Sequence, residues 1–338
     1  MTMPRLSLCI PTYNRAPLLR QALEAVMAQI TQDLAASVEI VVSDNASTDG
    51  TPAVLSEMAA AYPHVCLRPH RQPQNRGPDA NIYETVKRAS GEFCYILSDD
   101  DVLLPGAVAR LLGLMGEHPE ADALALNIQS FARDLDQPDP PWNAVAEDAV
   151  LYDRDEALAL LRPMFVSVFA FRRGLATAHA HDDKAGTNLL QSYFFLDVLA
   201  SARAVIVTAR PYLAQRKDNT AGWPYWSVMT TGYHDLLGYA RRLGFSEQVL
   251  RAMSRRHLRQ EIFGAIRHYK LTGRNGPLSP TPAAYADGTR RLLRIYGPDP
   301  FLLLALLPLM LTPCALVMGA RRVVKALRRA KAHESATL

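Results

Sequence analysis

Three polar clusters in the first third of the chain carry side chains able to do chemistry. Ser98-Asp99-Asp100-Asp101 sets three adjacent carboxylates directly after the apolar run Phe93–Leu97. Neighbouring carboxylates repel one another and gain nothing from burial. A strand end that keeps them suits a cation. A donor set of oxygens, without thiolate or imidazole, suits Mg²⁺ or Mn²⁺, with a diphosphate supplying further oxygens. The other reading is a solvated acidic turn before the helix near Pro105. Ser43-Asp44-Asn45-Ala46-Ser47-Thr48-Asp49-Gly50-Thr51 closes a second apolar run. Asp44 there can accept a hydrogen bond from a nucleobase N–H. Asp49 suits a turn and the capping of the following helix. Pro11-Thr12-Tyr13-Asn14-Arg15 ends the first run. Thr12 and Tyr13 suit the wall of a base pocket, and Asn14 equally suits a helix cap.

These clusters need elements to hold them. Leu6–Ile10, Val38–Val42, Val65–Leu67, Phe93–Leu97 and Ala123–Ile128 read as strands. Ala16–Ala28, Pro52–Ala61, Asn81–Ala89 and Pro105–Met115 carry helical periodicity between them. Alternating strands and helices predict a mostly parallel α/β sheet with helices on both faces. Ligands sit at the carboxyl ends of strands in such sheets, which is where the polar clusters fall. A loop at 134–142 separates a more helical remainder. Helices are expected over Arg154–Leu161, Leu189–Ala200, Trp226–Leu243 and Ser246–Tyr269, strands over Val166–Phe171 and Ala204–Thr208, and a loop over Gly273–Pro282.

The bulk properties exclude several classes. The 338 residues are 49% hydrophobic and 21% charged, with net charge +4. That is a globular composition, and the charge is too mild to argue for nucleic acid. Four cysteines, Cys9, Cys66, Cys94 and Cys314, show neither pairing nor metal spacing, so free thiols in a reducing compartment are expected. No signal peptide is visible at the start. No Gly-x-Gly-x-x-Gly follows the first strand and no Walker-type Gly-Lys-Ser/Thr occurs, which argues against a dehydrogenase and a P-loop enzyme. A phosphoacceptor receiver domain needs acids at the first strand, which ends instead in Pro11-Thr12-Tyr13-Asn14.

Taken together, the clusters resemble family 2 glycosyltransferases. The run from Cys9 to Arg15, then Val41 to Thr51, then Asn75-Arg76-Gly77-Pro78-Asp79-Ala80-Asn81, then Gly91-Glu92-Phe93 and Ser98-Asp99-Asp100-Asp101 with Pro105-Gly106, match that family in order and spacing over about residues 5–115. The branch it looks most like builds O-antigen and capsule repeat units and includes abequosyltransferase-like enzymes. The resemblance implies a glycosyltransferase-A fold followed by a helical C-terminal region, a divalent cation (Mn²⁺ or Mg²⁺), and inversion at the anomeric carbon. Its donor would be a nucleoside-diphosphate sugar, with UDP favoured, and its acceptor a glycan or lipid-linked glycan. By the same resemblance Pro11, Thr12, Tyr13, Asn14, Asp44, Arg76 and Asp99 bind nucleotide, Asp99 near the ribose. Asp100 and Asp101 serve the metal. The family's Asp-x-Asp-Asp stands here as Ser98-Asp99-Asp100-Asp101, so the first acid is a serine. Family members often carry a catalytic Glu-Asp pair at a helix start some way past the metal motif. Thr187-Asn188-Leu189-Leu190-Gln191 has no acid, leaving Asp182 and Asp183 as candidates for the base and Asp197 as a weaker third. A non-catalytic sugar-nucleotide-binding or scaffold subunit is the alternative that this gap allows. The Gln-x-x-Arg-Trp pattern of processive members is absent, which favours addition of a single sugar.

The expected organisation is a nucleotide-sugar half over 1–135, an acceptor-side half over 136–215, a helical region over 216–299 and a membrane-associating segment over 300–338. Phe301–Ala320 carries no charge in 20 residues, long enough to cross a bilayer as a helix. Pro308 and Pro313 would kink it into an interfacial or re-entrant piece. Arg321, Arg322, Lys325, Arg328, Arg329 and Lys331 follow at once. Cations next to an apolar stretch place the expected contact at the cytoplasmic face of the inner membrane.

Overall fold

The computed structural model describes residues 3–131, 135, 138–142, 145–177, 184–217, 224–272 and 282–319. The alternation expected from the sequence is present. β1 (Leu6–Thr12), α1 (Ala16–Met27), β2 (Val38–Asp44), α2 (Thr51–Ala61), β3 (Cys66–Arg71), α3 (Pro78–Arg88), β4 (Phe93–Ile96), β5 (Val102–Leu103), α4 (Ala107–Glu117) and β6 (Ala123–Phe131) follow in order. β7 (Ala149–Leu151), α5 (Arg154–Leu160), β8 (Phe169–Arg172), α6 (Arg173–Thr177), α7 (Leu190–Ser201) and β9 (Val205–Arg216) complete the sheet region. Among the described residues the strands form one sheet, ordered β3-β2-β1-β4-β8-β6-β9-β5, with β7 also on β9.

β1 pairs in parallel with β2 and β4, and β2 with β3. The sheet then becomes mixed: β8 runs antiparallel between β4 and β6, and β6 pairs in parallel with β9. Val166–Phe171 was expected to be a strand throughout, but Val166–Val168 forms a 3₁₀ turn before β8. β1, β2 and β4 are buried on nearly every residue, as central parallel strands covered on both faces must be. β3, at the sheet's edge, is largely exposed.

At the starts of these strands, away from the polar clusters, a buried carboxylate ties the sheet together. Glu39 on β2 accepts from Ser7 Oγ at 2.6 Å, Ser90 N at 2.6 Å and Arg68 Nη1 at 2.5 Å. Burial would raise its pKa; those hydrogen bonds outweigh burial and hold it below the usual range. Gly91 fits here because a Cβ at its position would lie 2.6 Å from Ser7 Oγ and 2.9 Å from Ser7 N. Cys9 and Cys94 are buried free thiols, as expected.

α7 is buried on every face from Leu190 to Leu199. Its Phe195 meets Phe169 and Phe171 of β8 with ring centroids 4.7 and 6.0 Å apart. Asp197, in the same helix, accepts a hydrogen bond from Tyr239 at 2.6 Å. That contact satisfies a polar group inside a core helix.

The chain divides into two compact units, residues 1–219 with 239–249, and 220–238 with 250–338. The second is helical. It contains a π-helical turn at Ser227–Gly232 leading into α8 (Tyr233–Arg242) as far as Gly238, α9 (Glu247–Arg256) only from Leu250 on, a second π-turn at His257–Ile262, and α10 (Phe263–Thr272). α11 (Pro282–Tyr296) and α12 (Leu307–Leu311) follow. No α11 was expected from the sequence. His257 is buried, stacks on Tyr233 at 3.7 Å between ring centroids, and pairs with the Met229 carbonyl at 2.7 Å. Burial pushes its pKa down to about 4.

The uncharged stretch is not one straight helix. It is helical to Leu311, breaks at Thr312-Pro313 and resumes at Cys314. Pro313 cannot donate the next hydrogen bond. The buried Lys270 ammonium takes up the freed carbonyls of Met310 and Thr312 at 2.8 and 2.7 Å. Among the described residues no helix is long and apolar enough to cross a membrane.

Candidate active site

The carboxyl ends of β1, β2 and β4 open into a cavity of about 350 Å³. Pro11, Thr12, Tyr13, Asn45, Asn81 and Asp99 are among the residues lining it. That volume lies within the range of small-molecule sites, roughly 300–1,000 Å³.

The rim is held by side chains bonded to strand-end backbone. Asn81, on α3, donates through Nδ2 to Thr12 O at 3.1 Å and Ser43 O at 3.0 Å. Its own Oδ1 accepts from Gln72 Nε2 at 2.7 Å. Asn45 donates to Asn75 Oδ1 at 2.9 Å and Gly77 O at 3.1 Å, and accepts from Arg76 N at 2.9 Å. Gly77 adopts φ 85° at this bend, which glycine enters without steric cost. Asn14 is left-handed at φ 53°. It receives Thr48 N on its Oδ1 at 2.7 Å and gives its own N–H to Ser47 Oγ at 2.9 Å. Asp49 accepts from Ala16 N, starting α1, and from Thr51 N, starting α2, at 2.9 and 3.0 Å. Burial would raise its pKa, yet the hydrogen bonds from Thr51 and Ala16 prevail and lower it. This is the capping role expected for Asp49, exercised on two helices at once.

Asp44 is buried. One oxygen accepts from Ser47 N at 2.8 Å, and the other accepts no hydrogen bond. Arg71 Nε stands 3.9 Å from that second oxygen. A buried acceptor without its bond is costly unless something else completes it.

The three adjacent aspartates point to three different duties. Asp99 is buried; its Oδ2 accepts from Thr12 Oγ1 at 2.6 Å and its Oδ1 pairs with Arg15 at 2.9 Å. Burial pushes its pKa up to about 6 against the opposing pull of Arg15 and Thr12. Asp100 lies 3.4 Å from Arg15 and accepts from Ser98 Oγ at 2.5 Å. Asp101 turns away, accepting from Ser167 Oγ at 2.8 Å and Arg216 N at 3.3 Å. Burial, then the Asp100 charge, push its pKa well up. Thr12, Arg15, Asp99 and Asp100 are thus brought together, while Asp101 fastens the turn to β9. Arg76 enters only through its backbone, and Asp182 and Asp183 lie outside the described residues.

Among the described residues no group of three or more His, Cys, Asp or Glu converges to hold a metal. Asp99 and Asp100 both lie against the guanidinium of Arg15, at 2.9 and 3.4 Å. An oxygen donor of Asp100, with diphosphate oxygens, matches the chemistry of Mg²⁺ or Mn²⁺.

The contributions of four residues have no local signal in the sequence. Asn45 and Asn81 were visible only as motif letters, without their backbone partners. Val166 lines the cavity because β8 inserts beside β4, a topological fact without a local signal. Asp79 accepts from Asn188 N at 2.8 Å and Leu190 N at 3.3 Å, so it caps α7 from 109 residues away in sequence.

The model of glycosyl transferase family 2 matches residues 7–173. The abequosyltransferase RfbV of Salmonella typhimurium is 38% identical over 106 residues, covering 31% of this chain and 31% of that protein. The GalNAc(5)-diNAcBac-PP-undecaprenol beta-1,3-glucosyltransferase of Campylobacter jejuni is 37% identical over 170 residues, covering 49% of this chain and 52% of that protein. The chain thus spans a third to a half of the length of these relatives. Among solved structures, S. aureus TarS 1–349 in complex with UDP-GlcNAc superposes with TM-score 0.61 at 17% identity, over 86% of this chain and 81% of that one. The Pyrobaculum calidifontis mannosyltransferase PcManGT, in complex with GDP-Man and Mn²⁺, gives 0.53 at 18%, over 88% and 82%. Those likenesses establish the fold as glycosyltransferase-A. Residues 7–173, from β1 through β8, are thus a glycosyl transferase family 2 stretch on that fold.

Proposed function

We propose that the protein transfers a sugar from a nucleoside-diphosphate sugar, UDP-linked by preference, to a hydroxyl of a glycan or lipid-linked glycan. The carrying observation is the cavity at the ends of β1, β2 and β4, with Asp99 at its wall and Asp100 beside the same arginine. The relatives named above, an abequosyltransferase and a glucosyltransferase acting on an undecaprenol-linked glycan, support this reading.

Each residue takes a role that its position allows. Asp44 offers its unsatisfied oxygen to a base N–H. Pro11, Thr12 and Tyr13 shape the nucleoside side of the cavity, Asn14 holds the turn beside it, Arg76 stands at the adjoining bend, and Asp99 serves the ribose. Asp100 is the proposed metal ligand and Asp101 its support from behind. A bound Mg²⁺ or Mn²⁺ would offset charge developing on the departing diphosphate. Arg15, already at 2.9 Å from Asp99, adds positive charge to the same edge. In an inverting transfer the acceptor oxygen forms its bond to the anomeric carbon as the bond to the diphosphate oxygen breaks. A carboxylate takes the acceptor's proton, and Asp182 or Asp183 is proposed for this.

The acceptor reading extends to the membrane. Leu304 is 81% exposed, Leu311 77% and Leu316 65%, on a stretch that leads into six cations in sequence. Apolar side chains beside cations suit shallow binding to anionic lipid, which supports a proposed location at the cytoplasmic face of the inner membrane.

Two measurements test the proposal. Nucleoside diphosphate release from a UDP-sugar, followed with Mn²⁺ and with chelator, should fall by a factor on the order of 10² or more in Asp100→Ala. Undiminished turnover in chelator and in that variant would remove the metal role. A protein with no turnover in any condition would fit a binding subunit instead. Flotation of the full chain with anionic vesicles at low salt tests the membrane contact. Recovery in the soluble fraction refutes it; loss of flotation in Leu304→Gln/Leu311→Gln supports it.

A further inference from the structure

A second cavity, of about 470 Å³, lies wholly within the helical unit. Its walls come from the segment Thr231–Asp235 and from α11. α11 contributes Arg290, Arg291 and Arg294, and the facing segment contributes His234. Residues four apart on a helix share a face, so Arg290 and Arg294 stand one above the other beside Arg291.

One of the three arginines is fixed in place. Arg291 pairs through Nε with Asp287 at 2.7 Å and donates through Nη1 to Thr231 Oγ1 at 2.8 Å. Arg290 reaches the same Asp287 only at 3.8 Å and is 77% exposed. Arg294 lines the cavity with no ion pair to any described residue. Asp287 is therefore committed to Arg291, and two guanidiniums are left facing the opening. A planar guanidinium suits phosphate because its N–H groups match two phosphate oxygens at once. The remaining carboxylate, Asp235 on the opposite wall, would repel a bare anion but accepts a hydrogen bond from a hydroxyl.

We propose that this cavity binds a phosphate group carrying a neighbouring hydroxyl. The phosphate meets Arg290 and Arg294, with Arg291 as the fixed third cation, and the hydroxyl meets Asp235. Two sources share that chemistry: the headgroup of an anionic phospholipid such as phosphatidylglycerol, and a soluble polyol phosphate. The site is separate from the donor cavity, and its existence does not depend on how that cavity is used.

The full chain, kept in chelator, is titrated with glycerol 1-phosphate by calorimetry and sedimented with phosphatidylglycerol or phosphatidylcholine vesicles. Arg290→Gln/Arg294→Gln should weaken binding by a factor on the order of ten in at least one arm, the scale for two cations near an anionic surface. Affinity for UDP, measured in the same variant, should not change, which separates this result from any failure of the donor site. A loss confined to phosphatidylglycerol vesicles assigns the cavity to lipid. A loss confined to glycerol 1-phosphate assigns it to a soluble ligand. Arg290→Lys/Arg294→Lys keeps the charge and removes the fork; it should bind more weakly than the native protein. Full retention by the lysine pair, or no loss with the glutamine pair in either arm, would overturn the proposal.

Discussion

Asp44 divides its two oxygens between the fold and the base contact proposed above. Asp44 Oδ1 is occupied by Ser47 N, and Oδ2 is buried without a hydrogen bond. If a base N–H completes it, Asp44→Ala should weaken nucleoside diphosphate binding by roughly 1.5–3 kcal/mol, the scale of a hydrogen bond to a charged group. Asp44→Asn is the sharper test. It can keep an oxygen for Ser47 N, but it presents N–H where the base also presents N–H. Calorimetry should show a comparable loss for both variants, and unchanged affinity in both would remove Asp44 from recognition. The residue types were legible from sequence: Asp44, Thr12 and Asp99–Asp101 follow apolar runs, and strand ends are where ligands gather. Their division of labour was not. Nothing local distinguishes Asp100, beside Arg15, from Asp101, which is turned to Ser167 and Arg216, because those partners arrive from 66 and 115 residues away.

At the scale of elements, the strands and helices of the first third follow the periodicity closely. β3 shows where that reading falls short: its expected core Val65–Leu67 extends to Arg71, since an exposed edge strand carries polar residues that break an apolar pattern. β5 and β7 are two and three residues long, too short for any periodicity. α7 was legible as a helix to within a residue of its start, but its cap was not, because it is supplied by Asp79 on α3 rather than by a neighbour in sequence. Asp79→Ala should leave the buried Leu190 N–H and the half-buried Asn188 N–H unpaired and cost about 1–3 kcal/mol, the usual penalty for an orphaned donor. Asp79→Asn keeps one acceptor and should cost less. Thermal melting orders the two variants, and equal melting temperatures for Asp79→Ala and the native chain would show that the cap contributes nothing.

Across the whole molecule, the titrating groups divide by unit. His257, in the helical unit, falls from its ordinary 6.5 to about 4 because burial disfavours the imidazolium. Between those values the unfolded chain binds a proton that the folded one refuses, so stability drops as pH falls from 6.5 to 4, by up to roughly 3 kcal/mol. In the sheet unit, Asp122 is held down to about 2: burial opposes this, but Arg203 and Arg172 outweigh it. Its stabilisation persists above 3.8 and is lost only as pH falls from there toward 2, about 1–2 kcal/mol given the exposure of Arg203. Asp99, raised to about 6, adds stability to the sheet unit on mild acidification. Acid unfolding should therefore take two steps. Hydrogen exchange followed by mass spectrometry should show α10 losing protection between pH 6.5 and 4, and β2 and β4 only below that. Simultaneous loss in all three would refute it, and His257→Phe should abolish the first step if it folds.

Asn81 has a bearing on how fast the protein captures a ligand. By bonding the carbonyls of Thr12 and Ser43 with one amide, it fixes the gap between α3 and the ends of the paired strands β1 and β2 before anything arrives. An aperture set during folding leaves no slow rearrangement to follow the encounter. In stopped-flow mixing with a fluorescent nucleoside diphosphate, the observed rate should climb in a straight line with concentration and show one exponential phase. Loosening the gap with Asn81→Ala should bend that line toward a plateau, as opening and closing of the aperture begins to limit entry. A plateau already present in the native protein would mean that the aperture is not fixed after all.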